Sequence, residues 1–421
     1  MSFPRYPSYK DSGVEWLGEV PVGWEVKKLK REIKRCVSGG GLIKGEMSSE
    51  SAEGLFQGFS ASGADVWVNE AHYREPGIVL SAVGARCGKA FKADGQWAAV
   101  ANTHVFLPKH SEARNFLWYL MNDESFWEKG GSAQPYIRVP VTLGKSLAFP
   151  TLSEQTAIAD FLGRETAKID ELVAEQRRLV ELLKEKRQAV ISHAVTKGLN
   201  PETPMKPSGI EWLGEVPAHW EIRKLSQLFR AGKGKNGQML TKEFCAENEG
   251  EYPVYSGQTE NEGVMGTWNQ FEFDFAESGV LFSTTVGAKA MYLRQLFGRF
   301  SLSQNCMIIW PTMSGCQTRF FYYHFQPLFQ FHRALIPEHM QASFRIEDLY
   351  GYRIAVPPTD EQYAMVAFLD MELAKFDTLT TEAQRAIDLL QERRTALISA
   401  AVTGQIDVRA LSPTQAMEAA A

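Results

Sequence analysis

Two stretches of the chain carry apolar residues at heptad spacing. From Glu154 to Thr196, steps of seven meet Leu162, Ile169, Gln176, Leu183 and Val190, with Ile158, Leu172 and Leu179 on the adjoining seam. A later stretch repeats the pattern with Leu369, Phe376, Ala383, Leu390 and Leu397, flanked by Met365 and Leu379. Sustained heptads with charged flanks predict long helices of coiled-coil type. Pro150 with Ser153, and Pro358 with Asp360, offer a break and an N-cap for each, and Gly198 and Gly404 lie near the far ends. About 40 residues at 1.5 Å each would make a rod roughly 60 Å long, more than a globular domain requires. Two such rods bury their seams most economically against each other, antiparallel, which predicts a pseudo-twofold molecule with a globular domain toward each end. Periodicity alone also accommodates an amphipathic helix lying on its own domain.

The helices belong to an internal duplication, the feature to establish before any fold is assigned. Ser12 to Leu29 (SGVEWLGEVPVGWEVKKL) aligns with Ser208 to Leu225 (SGIEWLGEVPAHWEIRKL) at an offset of 196, with 13 of 18 positions identical. A second match begins at Phe149 and Val356 and runs to Thr196 and Thr403 at a constant offset of 207. The second copy therefore carries a net 11 extra residues in its middle. The middles have diverged. Weak echoes set Gly77–Ser81 against Gly279–Ser283, Asn102 against Asn305, and Gln134–Arg138 against Gln341–Arg345.

Those middles, about 30–150 and 226–357, hold short β-like runs at Gly77 to Val83, Trp97 to Phe106, Val280 to Val286, Cys306 to Trp310 and Tyr352 to Val356. Helical runs occur at Ala113 to Met121 and Gln317 to Tyr323, so each middle reads as a mixed α/β domain. The expected division is a first domain over 1–150, a spacer helix over 151–200, a second domain over 201–357, a second spacer helix over 358–410 and a tail over 411–421. The Pro-rich stretch Asn200 to Pro207 reads as the linker between halves. Trp16, Trp24, Trp212 and Trp220, in the duplicated motif, read as core anchors, since aromatics mostly contribute buried area.

Composition narrows the class without naming it. Of 421 residues, 44% are apolar and 23% charged, an ordinary globular balance that excludes disorder and fibrous repeats. The opening MSFPRYPSYKDSG lacks an apolar signal core, and no run approaches the roughly 18 apolar residues of a membrane span, so a cytoplasmic protein is expected. Cys36, Cys87, Cys245, Cys306 and Cys316 show no CxxC spacing, which argues for reduced, mostly buried thiols over disulfides or a thiolate metal site. The net charge of −5 is unevenly spread: segment 21–150 is mildly basic, 217–357 neutral and 358–410 acidic. Charge alone neither establishes nor excludes a nucleic-acid partner.

Catalytic signatures are missing from the sequence. The nearest approach to a P-loop, Gly144-Lys145-Ser146, has Val139 at the position of the leading glycine. Val356-Pro357-Pro358-Thr359 lacks both the amide or acid and the aromatic of an amino-methyltransferase step, and no Pro-Asp step opens a nuclease-like carboxylate cluster. The eight histidines are scattered without HExxH or Cys/His zinc spacing, and no metal site is expected. These observations point to a binder.

The doubled order of linker motif, variable α/β domain and long helix resembles the specificity subunit of type I restriction-modification enzymes. The residues that carry the resemblance are Glu15-Trp16-Leu17-Gly18 with Pro21 and Trp24, Glu211-Trp212-Leu213-Gly214 with Pro217 and Trp220, and the helix openings Pro150 to Gln155 and Pro357 to Gln362. It implies a non-catalytic subunit with two α/β target-recognition domains, each reading half of a bipartite asymmetric site on double-stranded DNA. It implies helices that set the gap and dock two methyltransferase subunits. No cofactor is expected in this chain: S-adenosylmethionine would serve the methyltransferase partner, and ATP and Mg the restriction subunits. With half-sites about 10 base pairs apart centre to centre, two domains reading about four pairs each would leave about six unread.

Phosphate contacts should come from Lys, Arg and polar loop residues, and base contacts from Arg, Gln, Asn, Ser and Tyr reaching a groove. Candidates in the first domain are Lys44, Ser60, Arg86, Lys89, His104, Gln134, Tyr136 and Arg138. In the second they are Lys233, Lys235, Asn236, Ser256, Gln258, Lys289, Gln341 and Arg345. Gln134/Gln341 and Arg138/Arg345 are repeat-matched, which favours a shared structural or phosphate role. A scaffold that pairs partner proteins through its coiled coil without touching DNA is the alternative. Divergent middles beside near-identical spacers speak against it, because a scaffold has no reason to vary its two heads separately.

Overall fold

A computed structural model of the chain describes residues 3–411 except Trp16, 42–46, 132–133, Thr259, Glu338 and Ala410, and only the backbone of Ala276 and Ser278. The chain divides into two compact units. The first comprises 1–176 with 385–421, and the second 177–384. Each unit holds one α/β domain and half of each long helix.

The helices run from Leu152 to Lys197 and from Thr359 to Val402, 46 and 44 residues. In the first unit Ile158, Leu162, Ile169 and Val173 share one core with Ile387, Leu397, Ala401 and Val402. In the second, Leu183, Ile191, Ala194 and Val195 share a core with Met365, Leu369, Leu373 and Phe376. The two helices run antiparallel in each unit, so the heptad reading describes a real seam. Its adjoining line holds only at the start of each helix: Ile158 and Met365 are buried, whereas Leu172, Leu179 and Leu379 are exposed. The partly or fully buried second line runs instead through Thr166, Val173, Val180, Arg187 and Ala194, four residues after each first-line position. The N-terminal cap also differs. Leu152 already lies in the helix, and Thr151 accepts the amide of Glu154 at its hydroxyl and that of Gln155 at its carbonyl.

The duplicated motif joins each domain to the helices. Glu19–Pro21 pairs with Tyr9–Asp11, and Glu215–Pro217 pairs with Met205–Pro207. The end of the stretch read as a linker is therefore a strand of the repeat. Glu25–Lys28 pairs with Ser146–Phe149, and Glu221–Lys224 with Arg353–Val356, bringing the start of each domain beside its end. Trp24 and Trp220 are buried, as core anchors should be. Their indole N–H groups donate to the helix-opening carboxylates, Trp24 to Glu154 at 3.2 Å and Trp220 to Glu361 at 2.9 Å. Trp212 is half-buried against the second core and Trp16 lies outside the described residues. The next residues of each opening match as well: Gln155 and Gln362 are buried, and each amide donates to the carbonyl five residues back, Pro150 and Pro357.

In the first unit a four-stranded antiparallel sheet has the order Ile33–Ser38, Thr103–Pro108, Gly77–Ser81, Ala90–Ala93. Ile78, Leu80 and Phe106 face the core shared with the helices. Val79, Val105 and Leu107 face Phe59 and Trp97 of a three-stranded sheet ordered Gly63–Val68, Phe56–Ser60, Trp97–Ala99. A strand covered on both faces needs no polar alternation, which is why Gly77–Ser81 reads as a continuous apolar run. In the second unit Phe273–Thr284 and Leu293–Leu302 are long enough to unite the corresponding strands into one six-stranded sheet.

Candidate nucleic-acid interface

In the first unit several chain segments converge at the sheet end where Ile33–Ser38 and Gly77–Ser81 finish and Thr103–Pro108 begins. Gly39 donates its amide to Thr103 O at 2.8 Å and Gly40 to Ala99 O at 2.9 Å. A Cβ on Gly39 would sit 2.1 Å from Val100 O, so only glycine permits this approach. Ala82 donates to Asn102 O at 2.9 Å, Gly84 to Pro135 O at 2.9 Å, and Ile137 to Ala82 O at 3.0 Å. Arg86 reaches the carbonyl of Ser62 at 3.4 Å and so joins the turn after Phe56–Ser60 to the cluster.

The second unit rebuilds the last three of these backbone bonds. Thr285 donates to Asn305 O at 2.9 Å, Gly287 to Ala342 O at 3.0 Å, and Phe344 to Thr285 O at 2.7 Å. Bridges link Val83 with Tyr136 and Val286 with Ser343. Gly84 and Gly287 both take φ near +90°, a conformation that explains the glycine at each position. The frame reveals a repeat that the sequence comparison passed over. Val83-Gly84-Ala85-Arg86 corresponds to Val286-Gly287-Ala288-Lys289 at an offset of 203. The same offset aligns Thr103 with Cys306, which pair with Ser81 and Thr284. The echo of Gly77–Ser81 in Gly279–Ser283 is thus displaced by one residue, since Ser81 corresponds to Thr284. The extra residues of the second copy fall in two places, before Thr284 and between Asn305 and Gln341.

The predicted residues divide by what the frame does with them. Arg86, Lys89, Gln134, Tyr136 and Arg138 are exposed and belong to the first cluster; Lys233, Lys235, Asn236, Lys289, Gln341 and Arg345 are exposed in the second. Arg138 and Arg345 each precede a short helix, Val139–Leu143 and Ile346–Gly351. Asn236 is held by Glu272, which accepts its backbone N–H at 2.7 Å and its amide at 3.1 Å. Ser60 and Ser256 are buried, and their hydroxyls accept the amides of Ser62 and Gln258 two residues on, closing equivalent turns. Gln258 donates to Val264 O at 2.7 Å, inside its own hairpin. His104 lies within the sheet between Ser38 and Leu80, and burial pulls its pKa below the usual imidazole value. Lys44 lies outside the described residues.

Aromatic and cationic groups also sit together beside these loops. Lys89 Nζ lies 5.9 Å from the Phe91 ring centroid. At the corresponding positions the partners are exchanged: the Arg294 guanidinium carbon lies 5.3 Å from the Tyr292 ring. Tyr292 and Arg294 were not among the candidates, and the 203-residue offset was the signal that would have found them. Cations beside planar and polar groups are the chemistry suited to phosphate oxygens and base edges. Among the described residues no group of three or more His, Cys, Asp or Glu side chains could hold a metal, and no helix is long and apolar enough to cross a membrane.

Comparison with known proteins meets this geometry. The family described as the type I restriction modification DNA specificity domain matches residues 68–182 and 217–388. A protein of Mycoplasma pneumoniae named as a type I specificity subunit is 39% identical over 75 residues, 18% of this chain and 20% of that one. The specificity subunit of the type I restriction enzyme MpnII from the same organism is 32% identical over 75 residues, covering 18% and 22%. These matches span only about a fifth of each relative's length. A chain solved in work on complex assembly and conformational transition of the type I restriction-modification system has a TM-score of 0.70 at 14% identity, over 92% of this chain and 99% of that one. At that identity the likeness is one of fold. Matched in both copies and over more than half its length, the chain belongs to the type I restriction-modification DNA specificity domain family.

Proposed function

We propose that the chain is the non-catalytic, sequence-reading subunit of a type I restriction-modification complex, acting in the cytoplasm on double-stranded DNA. Each loop cluster reads one half of a bipartite asymmetric site. The long helices set the spacing and dock two adenine-methyltransferase subunits, whose methyl donor is S-adenosylmethionine. ATP- and Mg-dependent restriction subunits join for cleavage.

One observation carries this reading. Two units build the same hydrogen-bonded loop frame, keep cations at matched positions of it, and differ in other exposed side chains. That is what two readers of different half-sites require: shared contacts for the backbone and separate contacts for the bases. Docking of two copies of one partner is supported by exposed leucines that recur at the repeat offset, Leu172 with Leu379 and Leu182 with Leu389. The test is co-expression with a candidate adenine methyltransferase subunit and genome-wide mapping of methylated adenines. A motif of two unequal halves around an unread gap is expected. A single continuous motif would contradict the reading.

A further inference from the structure

The matched frame turns loop residues into comparable positions. Phosphates are alike at every step of a duplex, so side chains that both domains keep at one position suit phosphate, and side chains that differ there suit bases. Arg86/Lys289, Arg138/Arg345 and Gln134/Gln341 are kept. Among the described residues of the matched loops, two positions exposed in both units differ: Lys89 against Tyr292, and Tyr136 against Ser343. At the first, the exchange of cation and ring with Phe91 and Arg294 preserves the chemistry of the pair. At the second nothing is preserved except a hydroxyl.

Tyr136 is also held where a reading residue should be. Hydrogen bonds from Gly84 to Pro135 and from Ile137 to Ala82 fix the backbone on both sides of it. Ile137 is buried, yet the Tyr136 side chain is 43% exposed. Tyr136 and Arg138 are two residues apart and both lie against Gly130. A Cβ there would meet the Tyr136 ring at 2.7 Å and Arg138 Nε at 2.8 Å. Glycine therefore lets the ring and the guanidinium share one face of the hairpin Lys129–Gly130 with Tyr136–Ile137. The phenol offers a donor and an acceptor beside a cation.

We infer that Tyr136 reads base identity in the half-site of the first unit, while Arg86, Lys289, Arg138 and Arg345 hold phosphates. This inference rests on the DNA-reading function proposed above. The experiment incubates the full-length chain with randomised duplexes of about 40 base pairs, roughly four helical turns, and sequences the retained fraction. The wild type enriches a bipartite motif. Tyr136→Ser changes the preference within one half and leaves the other unaltered, whereas Arg86→Ala and Lys289→Ala lower retention of all sequences alike and reduce the salt slope by about one each. Tyr136→Phe keeps the ring and separates loss of the hydroxyl from loss of the side chain's bulk. A Tyr136→Ser chain with the wild-type motif unchanged would overturn the assignment of Tyr136, and an Arg86→Ala chain with a new motif would overturn the phosphate assignment. A wild-type chain that enriches nothing would instead overturn the DNA-reading function beneath both.

Discussion

Arg394 donates to Asp170 at 2.9 Å, tying the C-terminal helix to the central helix within the first unit. Its counterpart at the repeat offset of 207 is the pair Arg187 with Asp377 in the second unit. Both pairs are partly exposed to water, so each contributes weakly, about 0.2–1 kcal/mol. Arg394→Asp is therefore expected to destabilise modestly, and adding Asp170→Arg to recover most of that loss. A double-mutant cycle in denaturant measures the coupling; a value of about 3 kcal/mol or more would belong to a buried pair and contradict this geometry.

His324 gives the second unit a sensitivity to acid. It is fully buried among Trp212, Phe320, Phe321 and Phe325, and its Nε2–H donates to Ala355 O at 3.0 Å. Burial lowers its pKa to about 4. The unfolded chain, near 6.5, binds the proton more readily, so stability should fall as pH drops from about 6.5 toward about 4 and be unaffected by this group above that window. Thermal unfolding at about pH 7 and about pH 5 is expected to show a smaller acid loss in His324→Leu than in the wild type. Equal losses would show that the histidine does not govern the effect.

The recurring exposed leucines predict a binding phenotype without a folding one. Leu172, Leu182, Leu379 and Leu389 lie on the long helices outside the buried seam. Replacing any one with Lys should change stability by no more than about 0.5 kcal/mol, as for other surface positions. Replacing Leu172 and Leu379 together should reduce co-purification of the methyltransferase subunit. Full retention of two partner copies by that double variant would remove these residues from the docking surface.

The duplication, the helices and the Trp24 and Trp220 anchors were legible because each is a strong local signal. The partners of those tryptophans were not, since Glu154 and Glu361 are brought to them by folding alone. The one-residue error between Gly77–Ser81 and Gly279–Ser283 has a definite cause. Both strands are buried on two faces, and without alternation no polar residue marks the register. The seam error at Leu172 and Leu379 arose because an apolar residue beside a heptad line looks the same whether it faces the partner helix or water. Of the candidate interface, the glycine loops and the Arg138/Arg345 match could be read directly, whereas the Arg86/Lys289 match came only from the frame. That Ser60, Ser256 and Gln258 spend their polar groups on their own turns becomes visible only when the hairpins are built.

The most direct test is to replace residues 30–150 with residues 226–357, so that both positions carry the second domain, and to map adenine methylation with the methyltransferase subunit present. Two interchangeable readers on one scaffold predict a motif in which the half read by the second domain appears twice and the other half is lost. A motif identical to that of the wild type, or methylation without any bipartite site, would contradict the account.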